Sequence, residues 1–308
     1  MKVWRYDDSS GTPGLVPAEV EPPTASPGEL LVRVHAAGVT PTERLWYPTT
    51  HQPSGEPRRG TVPGHEFSGV VAGVGAEAGA DFRVGQEVYG MNDWFADGAT
   101  AEFVRTAPAA VAAKPGRLTH VEAASVPIGA LTARQGLFDR AALRAGERVL
   151  VHGGAGAVGV FAVQLARWRG AEVIATASAA NLEFVRGLGA DRVIDYRAER
   201  FEDPARGVDV VFDTVGGETL ERSWGVLGPG GRLVTIAASE ERAADERTRR
   251  AFFIVEPSRE QLAEIARLID GGSVRSVVGA VFPFADANQA YQHKPDRGKT
   301  VLGVVASE

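Results

Sequence analysis

The chain has 308 residues, 44% hydrophobic and 23% charged, a composition that suits a globular protein with a sizeable core and room for about two domains. A formal net charge of −6 gives no reason to expect nucleic acid or an acidic membrane surface as a partner. Cysteine is absent, which excludes disulfides, thiolate nucleophiles and cysteine-ligated zinc or iron–sulfur centres. The opening MKVWRYDD has no apolar signal core, and no stretch reaches the ~20 apolar residues of a membrane helix, so the expectation is a soluble cytoplasmic protein.

Residues 1–121 are rich in glycine, proline and short apolar runs. Leu30 to Val34, Gly69 to Gly75, Gln86 to Gly90 and Ala101 to Val104 read as short strands cut by turn signals, the texture of a small β-rich, barrel-like domain. Thr49 to Gly60 is a polar loop of the kind that often rims a site.

The texture then changes to α/β. Val121 to Leu143 is apolar at helical spacing. Strands are predicted at Arg148–His152, Glu172–Thr176, Arg192–Asp195, Val208–Asp213 and Gly231–Ile236. Helices over Phe161–Trp168, Asn181–Leu188 and Thr219–Leu227 alternate with them, which implies a doubly wound parallel sheet. Glu240 to Arg250 is a charged run, read as a solvated loop or helix face, and Gln261 to Ile269 is an amphipathic helix. Val277–Phe284 and Lys299–Val305 read as strands again. The simplest architecture makes the β-rich domain discontinuous. It comprises residues 1–121 and 259–308, with a dinucleotide-binding domain over 122–258 and a cleft between the two.

Between the first strand and its helix, Gly154, Gly156 and Gly159 stand at G-x-G-x-x-G spacing. In that context the first glycine permits a tight turn, the second lets backbone approach a pyrophosphate, and the third lets helix and strand pack closely. The helix N-terminus adds unpaired amides and a positive dipole end, so Gly154, Ala155, Gly156, Ala157, Val158 and Gly159 form the expected phosphate cradle. The second strand ends Ala175-Thr176-Ala177-Ser178, with no acid to bind a ribose 2′-hydroxyl or to repel a 2′-phosphate. Ser178 and Asn181 are the expected donors to that phosphate, with Tyr196 closing over it, and NADP(H) is the favoured cofactor.

Taken together, the ordered blocks GVTP (38–41), PGHEFSGVV (63–71), VPIGALTA (126–133), the glycine turn, LGAD with VIDY (188–196), FDTVGG (212–217) and RGKTVL (297–302) are specific. With them the chain resembles the zinc-independent quinone oxidoreductases of the medium-chain dehydrogenase/reductase superfamily, the ζ-crystallin-like branch. The resemblance implies a GroES-like catalytic domain, a Rossmann domain, a homodimer, and hydride transfer from NADPH to quinones or enones. Carried over by position, Thr40, Thr132 and Phe253-Ile254-Val255 are expected near the nicotinamide. Thr40 and Tyr47 are candidate donors to the developing oxyanion, and Trp46 with Tyr47 candidate walls of the substrate pocket. Position 40 is often Asn and position 181 often Lys in this family; here they are Thr and Asn.

Gly64-His65-Glu66 is the block with which zinc alcohol dehydrogenases hold metal, but those enzymes place Cys where this chain has Thr40. His65 and Glu66 supply two of the three protein ligands a catalytic zinc needs, so no metal is expected. A zinc alcohol dehydrogenase and a non-catalytic NADPH-binding protein are the alternatives.

Overall fold

The structure, a computed structural model, describes residues 1–7, 14–79, 81–237 and 245–305. β1 (Lys2–Asp7) and β2 (Gly14–Glu19) form an antiparallel ribbon. β3 (Leu30–Val39) pairs antiparallel with β4 (Glu66–Val74), and β4 with β5 (Glu87–Met91). β6 (Phe103–Thr106) joins β3, and β7 (Val111–Ala113) joins β5. β3 runs five residues beyond the stretch predicted from alternation, because its second half, HAAGV, is nearly all buried and shows no alternation to read. Gly38 lies in that half: a Cβ there would sit 2.5 Å from Cγ of Glu66, so the bare backbone makes room for that carboxylate.

β8 (Arg148–Val151), β9 (Glu172–Ala177), β10 (Arg192–Asp195), β11 (Val208–Asp213) and β12 (Leu227–Thr235) form a parallel sheet in the order β10-β9-β8-β11-β12. Their runs of Val, Ile and Leu are buried, as strands covered on both faces require. The chain order reverses between β8 and β11, which opens a crevice at their carboxyl ends. β13 (Val278–Pro283) and β14 (Lys299–Gly303) return to the first sheet, β14 antiparallel to β3 and β13 parallel to β14.

The long periodic stretch after residue 120 is not one helix. It divides into His120–Ala124, closed by a Thr119–Glu122 capping box, then Pro127–Arg134, then a π-helical turn over Gln135–Arg140. Pro127 has no amide to continue the first helix and starts the second instead. The helix after the glycine turn begins two residues earlier than predicted, at Gly159, and the next is shorter, Leu182–Arg186. Of the charged run, residues 240–244 lie outside the described residues, and Asp245 caps a helix over Glu246–Ala251.

One core joins the two sheets. Tyr89 and Met91 of β5, Val149 and Val151 of β8, Phe161, and Leu262, Ile265 and Ile269 of the helix Arg259–Asp270 belong to a single buried cluster. The Tyr89 hydroxyl donates to the Leu262 carbonyl at 2.6 Å. Among the described residues no helix is long and apolar enough to cross a membrane.

Two histidines in this frame, His152 buried and His120 half-buried, weaken it in acid. His152, at the end of β8, bonds Thr176 Oγ1 at 3.2 Å and Ser223 Oγ at 2.9 Å. His120 lies against His35 with ring centroids 4.2 Å apart. Burial pushes both His152 and His120 down to about 4, with the neighbouring His35 adding to the shift at His120. Unfolded histidines bind protons near their ordinary value of about 6.5. The stability due to these groups is therefore complete above that value and lost as pH falls toward 4. Urea-unfolding midpoints measured across this range should fall steadily on acidification, and His120→Gln should flatten part of that slope.

Candidate active site

The left-handed residue of the glycine turn is Gly153, with φ of +72°, one position before the first glycine of the predicted spacing. Gly154 has ordinary backbone; it is small because a Cβ there would lie 3.1 Å from Cβ of Ala175 and from Cγ1 of Val185. Gly159 is required by packing, since a Cβ there would lie 2.1 Å from the Gly153 carbonyl oxygen. Gly156 is exposed, and its face meets only that same oxygen, at 3.3 Å. The parallel bridge between Gly156 and Gly298 turns the Ala157 amide toward the return segment, and among the described residues no protein acceptor takes the amides of Ala155 and Val158. Those unspent amides at the start of a ten-residue helix fit the diphosphate of a dinucleotide. The turn is closed from the other side by the return segment: Gly298 donates its amide to the Ala155 carbonyl at 2.8 Å.

At the end of β9, Ser178 follows Ala177 with no acid on the strand end. Asn181, expected as a free donor, is buried. Its amide donates to Ser178 Oγ at 3.2 Å and to the Asp296 carbonyl at 3.0 Å, so it ties the return segment to this turn and its donors are spent. Tyr196 is half exposed, and its amide bonds the Ala177 carbonyl at 3.2 Å, which sets the ring beside the strand end. The Arg197 guanidinium lies 5.4 Å from its ring centre. Sequence reasoning missed Arg297, whose guanidinium lies 4.8 Å from the ring of Phe184, next to this turn. Its signal was the basic pair of the RGKTVL block.

Thr40 follows β3 and is half-buried, and Lys299 Nζ donates to its Oγ1 at 2.8 Å. Lys299 also forms an ion pair with Glu66, whose other oxygen accepts the Ile128 amide at 2.9 Å. Thr132, expected beside the nicotinamide, is buried and gives its hydroxyl proton to the Ile128 carbonyl at 2.6 Å, as a helix residue bonds its preceding turn. In Phe253-Ile254-Val255 only Ile254 is exposed; Phe253 and Val255 belong to the core. Trp46 packs edge-on to Trp94, centroids 4.9 Å apart, and Trp94 donates to the Val255 carbonyl at 2.9 Å. Trp94 thus bridges the barrel to the segment beside β12, a role no sequence pattern marked. Tyr47 is half exposed and stacks flat on His51, centroids 4.6 Å apart, so its ring is engaged within the polar loop.

His65 and Glu66 are neighbours with different partners. His65 Nδ1 pairs with buried Glu43, and Nε2 faces the Ala96 carbonyl at 3.3 Å. Glu43 also accepts the Gly64 amide at 3.0 Å. Burial by itself would lower the His65 pKa, but the Glu43 charge and hydrogen bond and the nearby carbonyls carry it above the ordinary value. With both ring nitrogens engaged and an ammonium on Glu66 and Thr40, this donor set does not fit a zinc ion. Among the described residues no three His, Cys, Asp or Glu side chains are grouped to hold a metal. Because the folded pKa of His65 is raised, its contribution is complete below the unfolded value of about 6.5 and lost as pH rises through the folded one. Glu43→Gln should cost about 3–5 kcal/mol at pH 6, as for a broken buried pair, and should abolish this alkaline loss when unfolding is followed from pH 6 to 9.

Comparison with known proteins agrees with this geometry. Residues 26–116 match the alcohol dehydrogenase GroES-like domain family, and residues 188–302 match the family described as zinc-binding dehydrogenase. A 2-methylene-furan-3-one reductase of Solanum lycopersicum is 33% identical, covering 92% of this chain and 73% of its own. An NADPH-dependent alkenal/one oxidoreductase of Arabidopsis thaliana is 32% identical over 98% of this chain and 79% of its own. The solved quinone oxidoreductase of Coxiella burnetii superposes with a TM-score of 0.86 at 29% identity over 99% of both chains. The chain is an oxidoreductase with a GroES-like domain and a Rossmann-type parallel sheet, and it belongs to the quinone oxidoreductase branch of the medium-chain dehydrogenase/reductase superfamily.

Proposed function

We propose that the protein reduces quinones or enones with NADPH and without a metal ion. The observation that carries this reading is the Lys299 ammonium bonded to both Thr40 and Glu66: a fixed cation occupies the neighbourhood where an alcohol dehydrogenase would need metal ligands. NADPH, when bound, supplies the hydride. The chain supplies the rest. The amides of Ala155 and Val158 receive the diphosphate, and the exposed side chain of Ile254 with the Trp46–Trp94 pair offers an apolar wall to a planar acceptor. Thr40 is the hydrogen-bond donor to the acceptor oxygen. Solvent can deliver the proton of a quinone or enolate product.

The acid-free end of β9, with Tyr196, Arg197 and Arg297 around it, supports NADPH over NADH. The purified protein should oxidise NADPH with a simple quinone or an α,β-unsaturated ketone, equally with and without a chelator. No turnover across such a panel would overturn the reading, and loss of activity on chelation would revive the zinc alcohol dehydrogenase. Arg297→Ala should raise KM for NADPH about tenfold, the size of one lost charged hydrogen bond, and leave KM for NADH nearly unchanged.

A further inference from the structure

We propose that Lys299 is a positioning residue for the reduction: its ammonium holds the Thr40 oxygen so that the Thr40 hydroxyl proton is directed at the substrate oxygen on which negative charge develops. This rests on the reading of the site as a quinone or enone reductase. Lys299 opens a strand that is buried through Leu302, and it is 6% exposed. A lysine buried to that degree needs partners for its charge. It has two, the Glu66 carboxylate and Thr40 Oγ1 at 2.8 Å.

An ammonium has only donors, so the threonine oxygen must be the acceptor. The hydroxyl's own proton is thereby left over, and among the described residues no protein acceptor takes it. Thr40 is half-buried, so a ligand can reach that proton. Thr132 makes the contrast: its proton is spent on the Ile128 carbonyl at 2.6 Å. A hydroxyl whose oxygen accepts a charge-assisted hydrogen bond donates more strongly in turn.

Lys299 is itself fixed at both ends. Glu66 is fully buried and anchored by the Ile128 amide at 2.9 Å. The preceding residue, Gly298, is held at φ of +63° by its bond to Ala155, and a Cβ there would lie 2.2 Å from the Val277 carbonyl oxygen. A donor fixed before the reaction acts on the transition state more than on the neutral carbonyl, so its loss falls on kcat.

The test compares an uncharged pair, Lys299→Met with Glu66→Gln, in the Thr40 and Thr40→Val backgrounds. Removing both charges leaves neither one buried alone. Urea unfolding of the cofactor-free protein reads the contact directly: the uncharged pair should lower the midpoint less in Thr40→Val than beside Thr40. Kinetics with an enone read its role. Thr40→Val should lower kcat about 100-fold, while Thr40→Ser retains most activity. The uncharged pair should lower kcat about tenfold beside Thr40 and less than about twofold in Thr40→Val, with the Kd for NADPH from fluorescence titration nearly unchanged. Equal losses in both backgrounds, by either measurement, would overturn the proposal. So would a raised Kd for NADPH with kcat intact, which would make Lys299 a cofactor contact. A wild-type protein with no turnover would instead remove the reductase reading on which the proposal stands.

Discussion

The Glu66 carboxylate is the contact on which the site depends. It is fully buried, and Gly38 yields the space for it by having no side chain. One oxygen receives the amide of Ile128 at the start of the helix that leads into the parallel sheet; the other takes no aligned hydrogen bond but lies against the Lys299 ammonium. Three distant parts of the chain thus meet at one side chain: β4, the helix Pro127–Arg134 and the returning β14. A charge buried at this depth persists only where every partner is in place, so the meeting point resists rearrangement.

Adjacent residues on an extended chain face opposite ways, and here that alternation separates two ion pairs. His65 turns to Glu43, and Glu66 turns to Lys299. Each pair combines one basic partner with one carboxylate, so the two ionisable groups on the chain entering β4 each meet a partner of opposite kind from another segment. The arrangement leaves Thr40 as the half-exposed polar end of an otherwise closed network.

The fold was largely legible because its signals are local. The βαβ alternation, the apolar strands and the glycine turn each follow from periodicity within a short window. Legibility failed where burial erased periodicity, as in the second half of β3, and where a proline divided one apolar stretch into two helices. The glycine turn was readable to within one residue: Gly153 carries the left-handed turn, while Gly154 and Gly159 are small for packing. Long-range partners were not readable at all. Nothing local to Asn181 says that Asp296 consumes its amide, or that Lys299 lies against Thr40, because sequence separation hides both. Nor does anything local to Tyr47 say that its ring stacks on His51.

The stretch from Asp296 to Lys299 touches the site at three stations. The Asp296 carbonyl meets Asn181 after β9, the Gly298 amide meets the glycine turn, and the Lys299 ammonium meets Thr40 at the far end. The three stations fall within four consecutive residues, bent at Asp296 and Arg297 and left-handed at Gly298. The segment therefore works as a ruler laid alongside the crevice, its graduations set by backbone spacing. One residue more or fewer between these stations would put the two ends of the crevice out of step while leaving each end chemically intact, and a mononucleotide could meet the marks at one end only.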